Sequence, residues 1–332
     1  MPFFIYVRTK KEIVLKLEQI GFYTLSDERA KNTSITSPLW RCELLITSRC
    51  NFKCPYCRGT DKSANISFKQ AQRIIDIWSS EGLKNIRFSG GEPTVVPWLP
   101  DLVGYAACKG IDRIAISTNG SASLEYYKEL AELGVNDFSI SLDACCSTFG
   151  DRMSGVVGSF GNVVRNIKEL SKTFYVTTGC VFDEKNIIQS VETIKFAHSL
   201  GVADIRILTA AQYNKSLEFV QQIPHEILKN CPILKYRVDN FKNGRNVRGL
   251  SFSDNHRCPL VLDDIAIKGN HHFPCIIYMR EYGKPIGKVT DQMRMDRLKW
   301  YQSHNCYQDE ICKKNCLDVC IDYNNKVKGG RK

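Results

Sequence analysis

The run Cys50-Asn51-Phe52-Lys53-Cys54-Pro55-Tyr56-Cys57 closes the apolar stretch Leu44-Leu45-Ile46-Thr47. Thiolate is the ligand that iron–sulfur clusters and zinc select, and a loop this short can wrap one soft metal centre. Three cysteines leave one corner of a tetrahedral site or of a cubane unfilled, and an open corner is what catalysis needs. A closed structural zinc site would find its fourth ligand nearby, yet neither His nor Cys follows before Cys108.

Downstream, Ser89-Gly90-Gly91-Glu92-Pro93-Thr94 ends the next strand-like run. Two glycines allow close backbone approach to a ligand, and Glu92 offers a carboxylate to an ammonium group. The plainer alternative is a tight turn with a glutamate opening a helix. Ser117-Thr118-Asn119-Gly120 and Ser139-Ile140-Ser141-Leu142-Asp143 end two further strands with hydroxyls, an amide and a carboxylate. On their own these read equally as ordinary strand-end caps.

Between these motifs strand and helix patterns alternate. Strands are expected at 85–89, 113–118, 138–142, 174–182 and 205–208, and helices at 67–80, 98–109, 123–133, 160–171 and 186–200. Ser67 with Gln70 forms a capping-box start, and Gly134 and Gly201 stop two of the helices. Such alternation predicts an α/β fold with a parallel sheet whose strand C-termini share one rim, so every motif converges there. A shorter prelude, 1–40, holds a strand-like Phe3 to Val7 and a helical Lys10 to Ile20. The core is expected over 41–230. From 231 to 332 the elements shorten and cysteine becomes dense.

The three-cysteine spacing, with Tyr56 just before the last of them, resembles the radical S-adenosylmethionine (radical SAM) superfamily. The resemblance implies a partial (β/α)6 barrel and a [4Fe–4S] cluster on Cys50, Cys54 and Cys57. It implies that S-adenosylmethionine is held by Gly90, Gly91, Glu92 and Pro93, by Ser117 and Asn119, and by Ser141, Asp143 and Arg152. The strand end from Arg206 to Gln212 would border adenine. An electron donor such as flavodoxin or ferredoxin is implied as partner. No residue is singled out as a catalytic acid or base.

In the C-terminal part, Cys258, Gly269 and Cys275, followed by Cys306, Cys312, Cys316 and Cys320, resemble the SPASM/twitch extension, which holds one or two auxiliary iron–sulfur clusters. By position, Cys258, Cys275 and Cys316 would share one cluster, while Cys306, Cys312 and Cys320 would line a second. The pattern departs at Ser303, where the extension has a further cysteine, and Gly269 to Cys275 is one residue longer than usual. Alternatives are a single cluster on four of the six, or a structural zinc. His271 and His272, beside Cys275, are either ligands or, in the favoured reading, a solvent-facing turn. Cys145 and Cys146 on the active rim are a reactive pair or, more commonly, small buried thiols, and Cys42, Cys108, Cys180 and Cys231 read as core residues.

Fifteen cysteines without an export signal point to reduced thiols, metal ligation and a cytoplasmic setting. No apolar run reaches bilayer length, so a membrane partner is not expected. The net charge of +11 is dispersed apart from Lys326, Lys328, Arg331 and Lys332, and is either a solvated surface or an attraction for anionic substrates. These features point to a radical SAM enzyme acting on a ribosomally made peptide, or on a small molecule or nucleotide in the manner of twitch-type enzymes. A non-catalytic iron–sulfur or zinc scaffold binding nucleic acid is the rival class. Glu92 and the ordered strand ends, which a scaffold does not need, weigh against it.

Overall fold

A computed structural model describes residues 33–57, 59, 64–209, 219 and 221–329. The strand and helix expected before residue 33, and residues 210–212 beyond the sixth strand, lie outside these.

Six strands, β1 (Arg41–Thr47), β2 (Asn85–Gly90), β3 (Arg113–Thr118), β4 (Asp137–Ser141), β5 (Val176–Phe182) and β6 (Asp204–Thr209), pair in parallel in chain order. Helices α1 (Phe68–Ser80), α2 (Leu99–Cys108), α3 (Leu124–Glu132), α4 (Ser147–Ser154), α5 (Ser159–Leu170) and α6 (Ser190–Ser199) fill the connections. Two short helices, α7 (His225–Asn230) and α8 (Pro232–Lys242), follow β6. The sheet stays open, with β6 at one edge, as a partial barrel requires.

Helix α1 shows how the sequence sets an element. Ser67 Oγ accepts the Gln70 N–H while the Gln70 side chain returns to the Ser67 N–H, so two orphan donors are satisfied reciprocally. Ala71, Ile74, Ile75 and Trp78 form the buried stripe. They meet the strand face made by Cys42, Leu44, Ile46, Ile86 and Phe88. Each large side chain so buried contributes about 1.5–3 kcal/mol.

The opposite strand face is polar, and the alternation has period two. Arg87 Nη2 and Arg113 Nε both meet Asp137 Oδ2 at 3.1 Å, and Arg87 Nη1 donates to Ser117 Oγ at 3.1 Å. Arg41 pairs with Glu43 at 2.7 Å, and Ser89 Oγ donates to Glu43 Oε1 at 3.0 Å. Burial opposes ionisation of Asp137, but Arg113, Arg87 and Arg206 hold it below the usual carboxylate range. Parallel strands covered on both faces are usually apolar throughout. These strands instead carry a buried charge network on the face away from the helices.

The C-terminal part joins the same sheet. β7 (Asp264–Lys268) pairs in parallel with β1, and β8 (His271–Phe273) and β9 (Gly287–Lys288) continue antiparallel. Cys231, Leu234 and Val238 enter the same core cluster as the barrel strands. The composition change near residue 231 is therefore not a break in packing. Among the described residues four short helices follow: α9 (Ile276–Arg280), α10 (Met293–Ser303), α11 (Glu310–Asn315) and α12 (Asp318–Gly329). No helix among the described residues is long and apolar enough to cross a membrane.

Two expectations fail in detail. Cys42, Cys180 and Cys231 are fully buried, but Cys108 ends α2 exposed. His272 is not in a solvent-facing turn: it is 0% exposed, because strand alternation turns it inward while His271 faces out. Arg297 Nη1 lies 3.3 Å from its Nδ1, and burial pushes its pKa down to about 3.

Candidate metal and cofactor centre

The cysteine loop is fixed before any metal is considered. Gly91 N–H donates to the Thr47 carbonyl and Glu92 N–H to the Arg49 carbonyl, both at 2.8 Å. A Cβ on Gly91 would lie 2.2 Å from the Arg49 oxygen, and one on Gly90 2.2 Å from the Thr47 oxygen. The two glycines thus admit the backbone of the cysteine loop itself. On its other side, Lys53 N–H donates to the Ser154 carbonyl at 2.7 Å, and Gly155, at φ 69°, leaves room for Lys53.

Asn119 ties the loop to the end of β3. Its Nδ2 donates to Asn51 Oδ1 at 2.8 Å and lies 3.8 Å from Cys50 Sγ, and its backbone N–H donates to Glu92 Oε2 at 2.6 Å. Glu92 is 1% exposed. Its Oε1 accepts from Thr94 N–H (3.0 Å), Thr94 Oγ1 (2.7 Å) and Thr118 Oγ1 (2.7 Å). Burial raises its pKa and these bonds oppose that shift. Glu92 therefore joins the ends of β2 and β3, and Oε2 retains acceptor capacity. Pro93 is buried and begins a short 3-10 turn.

Tyr56 donates to Asp143 Oδ2 at 2.5 Å, and Val181 N–H donates to Asp143 Oδ1 at 2.7 Å. Burial pushes the Asp143 carboxyl up to about 6. Burial, and then the Asp143 charge, push the neighbouring Cys54 thiol up to about 11. A metal would displace that proton. Cys50 and Cys57 are exposed and Cys54 half-buried. Backbone N–H groups of Phe52 and Gly59 point at the Cys50 and Cys57 sulfurs at 3.4 and 3.3 Å. A tip bearing three thiols, with amide donors toward two of them, fits a thiolate-held cluster with one iron left open.

Beside the loop opens a small cleft, with room of about 60 Å³. Cys54, Asn119, Ser141, Asp143, Met153 and Phe160 are among its lining residues. The structure thus brings together Cys54, Asn119, Ser141 and Asp143, with Tyr56 bonded behind them. Ser117 turns instead to Arg87, and Arg152 lies 4.3 Å from the Phe149 ring, neither lining the cleft. The sequence reading passed over Phe52 and the wall from α4 and α5. The signal was Asp151, whose carboxylate accepts from Gly158 and Phe160 N–H groups and locks the α4–α5 corner. Cys145 is half-buried and Cys146 exposed just past Asp143.

The six downstream cysteines gather at a single place. Cys306 Sγ lies within 4.8 Å of Cys312 Sγ, and the Cys258 and Cys306 thiols perturb each other's ionisation. Cys275 feels the charge of Cys258 and Cys312. Cys316 feels Cys320, Cys258, Cys275 and Cys312. Burial is the leading influence on Cys316 and Cys320, raising both thiols, and the Cys306 contact lowers Cys258. The two sets expected from sequence position therefore adjoin rather than stand apart.

Residues 44–197 match the radical SAM superfamily. Over 127 residues the chain is 38% identical to the Fe-coproporphyrin III synthase of Methanosarcina barkeri, which covers 37% of this chain and 31% of that protein. It is 31% identical to the GTP 3',8-cyclase of Xanthomonas axonopodis pv. citri over 140 residues, 39% of this chain and 42% of that one. The match thus spans a third to two fifths of these relatives' length. The crystal structure of Streptococcus suis SuiB bound to precursor peptide SuiA superposes with a TM-score of 0.57 at 14% identity, covering 90% of this chain and 79% of that one. At that identity the likeness concerns the fold.

Proposed function

The chain belongs to the radical SAM superfamily through residues 44–197, and from that premise we propose that it cleaves S-adenosylmethionine reductively and modifies a peptide. The observation that carries the proposal is the convergence of Cys54, Asn119 and Asp143 on one cleft, with Asn119 bonded on to Glu92 and to the cysteine loop at Asn51. Cys50, Cys54 and Cys57 would hold a [4Fe–4S] cluster and leave one iron to S-adenosylmethionine. When bound, that pair supplies the electron that breaks a sulfonium–carbon bond and the 5′-deoxyadenosyl radical that takes hydrogen from a substrate.

The protein's own work is holding and excluding. Asn119 and the Gly90–Gly91 turn keep the loop over the ends of β2 and β3, and Glu92 Oε2 meets the ammonium group. Ser141 and Asp143 face the ribose, while Phe52, Met153 and Phe160 shield the cleft from water. The gathered downstream thiols hold an auxiliary iron–sulfur site, and a flavodoxin or ferredoxin delivers the electron. A peptide substrate is supported by the shared fold with a precursor-peptide-bound structure. A small-molecule substrate is favoured instead by the two curated relatives, whose names specify a porphyrin and a nucleotide.

Anaerobically reconstituted protein given S-adenosylmethionine and a strong reductant is expected to form 5′-deoxyadenosine. Cluster-loaded protein that formed none would overturn the reading. Precursor-like peptides and nucleotides then separate the two substrate classes by which accelerates that release and changes mass.

A further inference from the structure

The downstream cysteines are not the full set of donors in the cysteine-rich C-terminal part, 231–332, here called the annex. Among the described residues, His304, Cys306 and Cys312 place one ligand atom each within 4.8 Å of one another. His304 Nε2 lies 3.8 Å from Cys312 Sγ. Two ligands on one tetrahedral ion, with bonds of about 2.0–2.3 Å, stand about 3.5–3.8 Å apart. Thiolates on different irons of a cubane are further apart, because the metal atoms themselves are separated.

The donors are positioned by contacts that need no metal. The His304 ring stacks on Trp300, centroids 4.0 Å apart at 17°, and its carbonyl accepts Arg257 Nη1 at 2.8 Å. Cys306 N–H donates to the His256 carbonyl and Cys312 N–H to Asp309 Oδ1, both at 2.8 Å. Asp309 is the rival partner for the imidazole. Its Oδ2 is 3.7 Å from Nε2, past hydrogen-bond length, and already accepts Tyr278 Oη at 3.0 Å. Cys258 influences Cys306 but is not one of the three mutually close donors.

We propose that His304 is a metal ligand, sharing one thiophilic metal ion with Cys306 and Cys312. It adjoins Ser303, the position where the family-like pattern lacks its cysteine, and supplies nitrogen in place of that thiolate. One imidazole and two thiolates on a single tetrahedral ion suit zinc, with one position left to a further donor, whereas an iron inside a cluster gives its positions to bridging sulfide and could not take all three. The proposal rests on the reading that the annex holds metal.

The test uses the full chain with Cys50, Cys54 and Cys57 all changed to Ala, so that annex metal is measured alone. X-ray absorption at the edge of the bound metal is expected to show a mixed nitrogen and sulfur shell with imidazole scattering. A mononuclear zinc or iron agrees with the proposal, whether or not the remaining annex thiols also carry a sulfide cluster; acid-labile sulfide with no metal beyond the cluster irons overturns it. His304→Ala should lose the nitrogen signature and release metal to a chelator at least tenfold more readily. His304→Cys should keep the metal in an all-sulfur shell and a native circular dichroism spectrum. An all-sulfur shell before any change at His304, or a shell untouched by His304→Ala, overturns the ligand assignment while leaving the annex reading standing. Absence of any metal overturns both.

Discussion

Glu92 carries the sharpest consequence at the scale of single residues. Its carboxylate accepts four protein donors, three on Oε1 and one on Oε2. In Glu92→Gln one oxygen becomes an NH2 group facing a donor, whichever way the amide turns. The buried donor left unmet costs about 1–3 kcal/mol. Urea unfolding of the metal-free protein should show that loss, and unchanged stability would mean the four bonds are not made. Asp143 gives a pH signature. Its folded pKa, near 6, is above the unfolded value of about 3.9, so the folded chain binds this proton more tightly. This contribution to stability is therefore full below about pH 4 and is lost as pH rises through about 6. Asp143→Asn keeps both contacts, with the Tyr56 hydroxyl turned to accept, and removes the charge. Relative to wild type, the variant should gain on the order of 1–3 kcal/mol between pH 4 and 7, read from thermal unfolding of metal-free protein. A difference independent of pH would refute the raised carboxyl.

Among elements, the turn after β2 matters most to the centre, because its glycines are packed against the cysteine loop. Gly91→Ala would set a methyl 2.2 Å from the Arg49 oxygen, and no flexible side chain is there to give way. The loop must shift, at a cost of about 1–3 kcal/mol. The variant is expected to keep its far-ultraviolet circular dichroism yet retain less iron and sulfide after anaerobic reconstitution. Full retention would show that the loop tolerates displacement. The sequence announced this turn by its paired glycines but not their use, since a ligand and a neighbouring backbone ask for the same missing Cβ. The βα alternation was legible because its helices carry caps and apolar stripes, as Ser67, Gln70 and Trp78 do in α1. Helix α4 was not, because Ser147–Ser154 is short, polar and without a side-chain cap. The charged strand face had a readable period of two in Arg41, Glu43, Arg87, Arg113 and Asp137. It went unread because a parallel sheet covered on both faces usually places apolar residues there. His272 was misplaced for the related reason that a three-residue strand leaves no periodicity to read.

For the molecule as a whole, one sheet serves two centres. β1 ends in the cysteine loop and also pairs with β7, which leads through the β8 hairpin to Cys275. The cysteine density after residue 231 made the second centre legible, but its gathering into one place depends on contacts across more than forty residues, as between Cys258 and Cys306. Shared packing does not make shared chemistry. The barrel loop is held by Thr47, Arg49, Asn119 and Ser154, none of which belongs to the annex. The two centres should therefore be separable by substitution. The chain with Cys50, Cys54 and Cys57 changed to Ala is expected to lose all 5′-deoxyadenosine formation while keeping annex metal, since a cluster cannot be held without its thiolates. Cys258→Ala with Cys275→Ala should do the reverse: annex metal falls, and uncoupled 5′-deoxyadenosine formation continues near the wild-type rate. Metal analysis and chromatography of the nucleoside read both arms. If the second variant folded, kept its barrel cluster and yet formed no 5′-deoxyadenosine, the annex would be part of the machinery that cleaves S-adenosylmethionine, and the division of labour along β1 and β7 would be wrong.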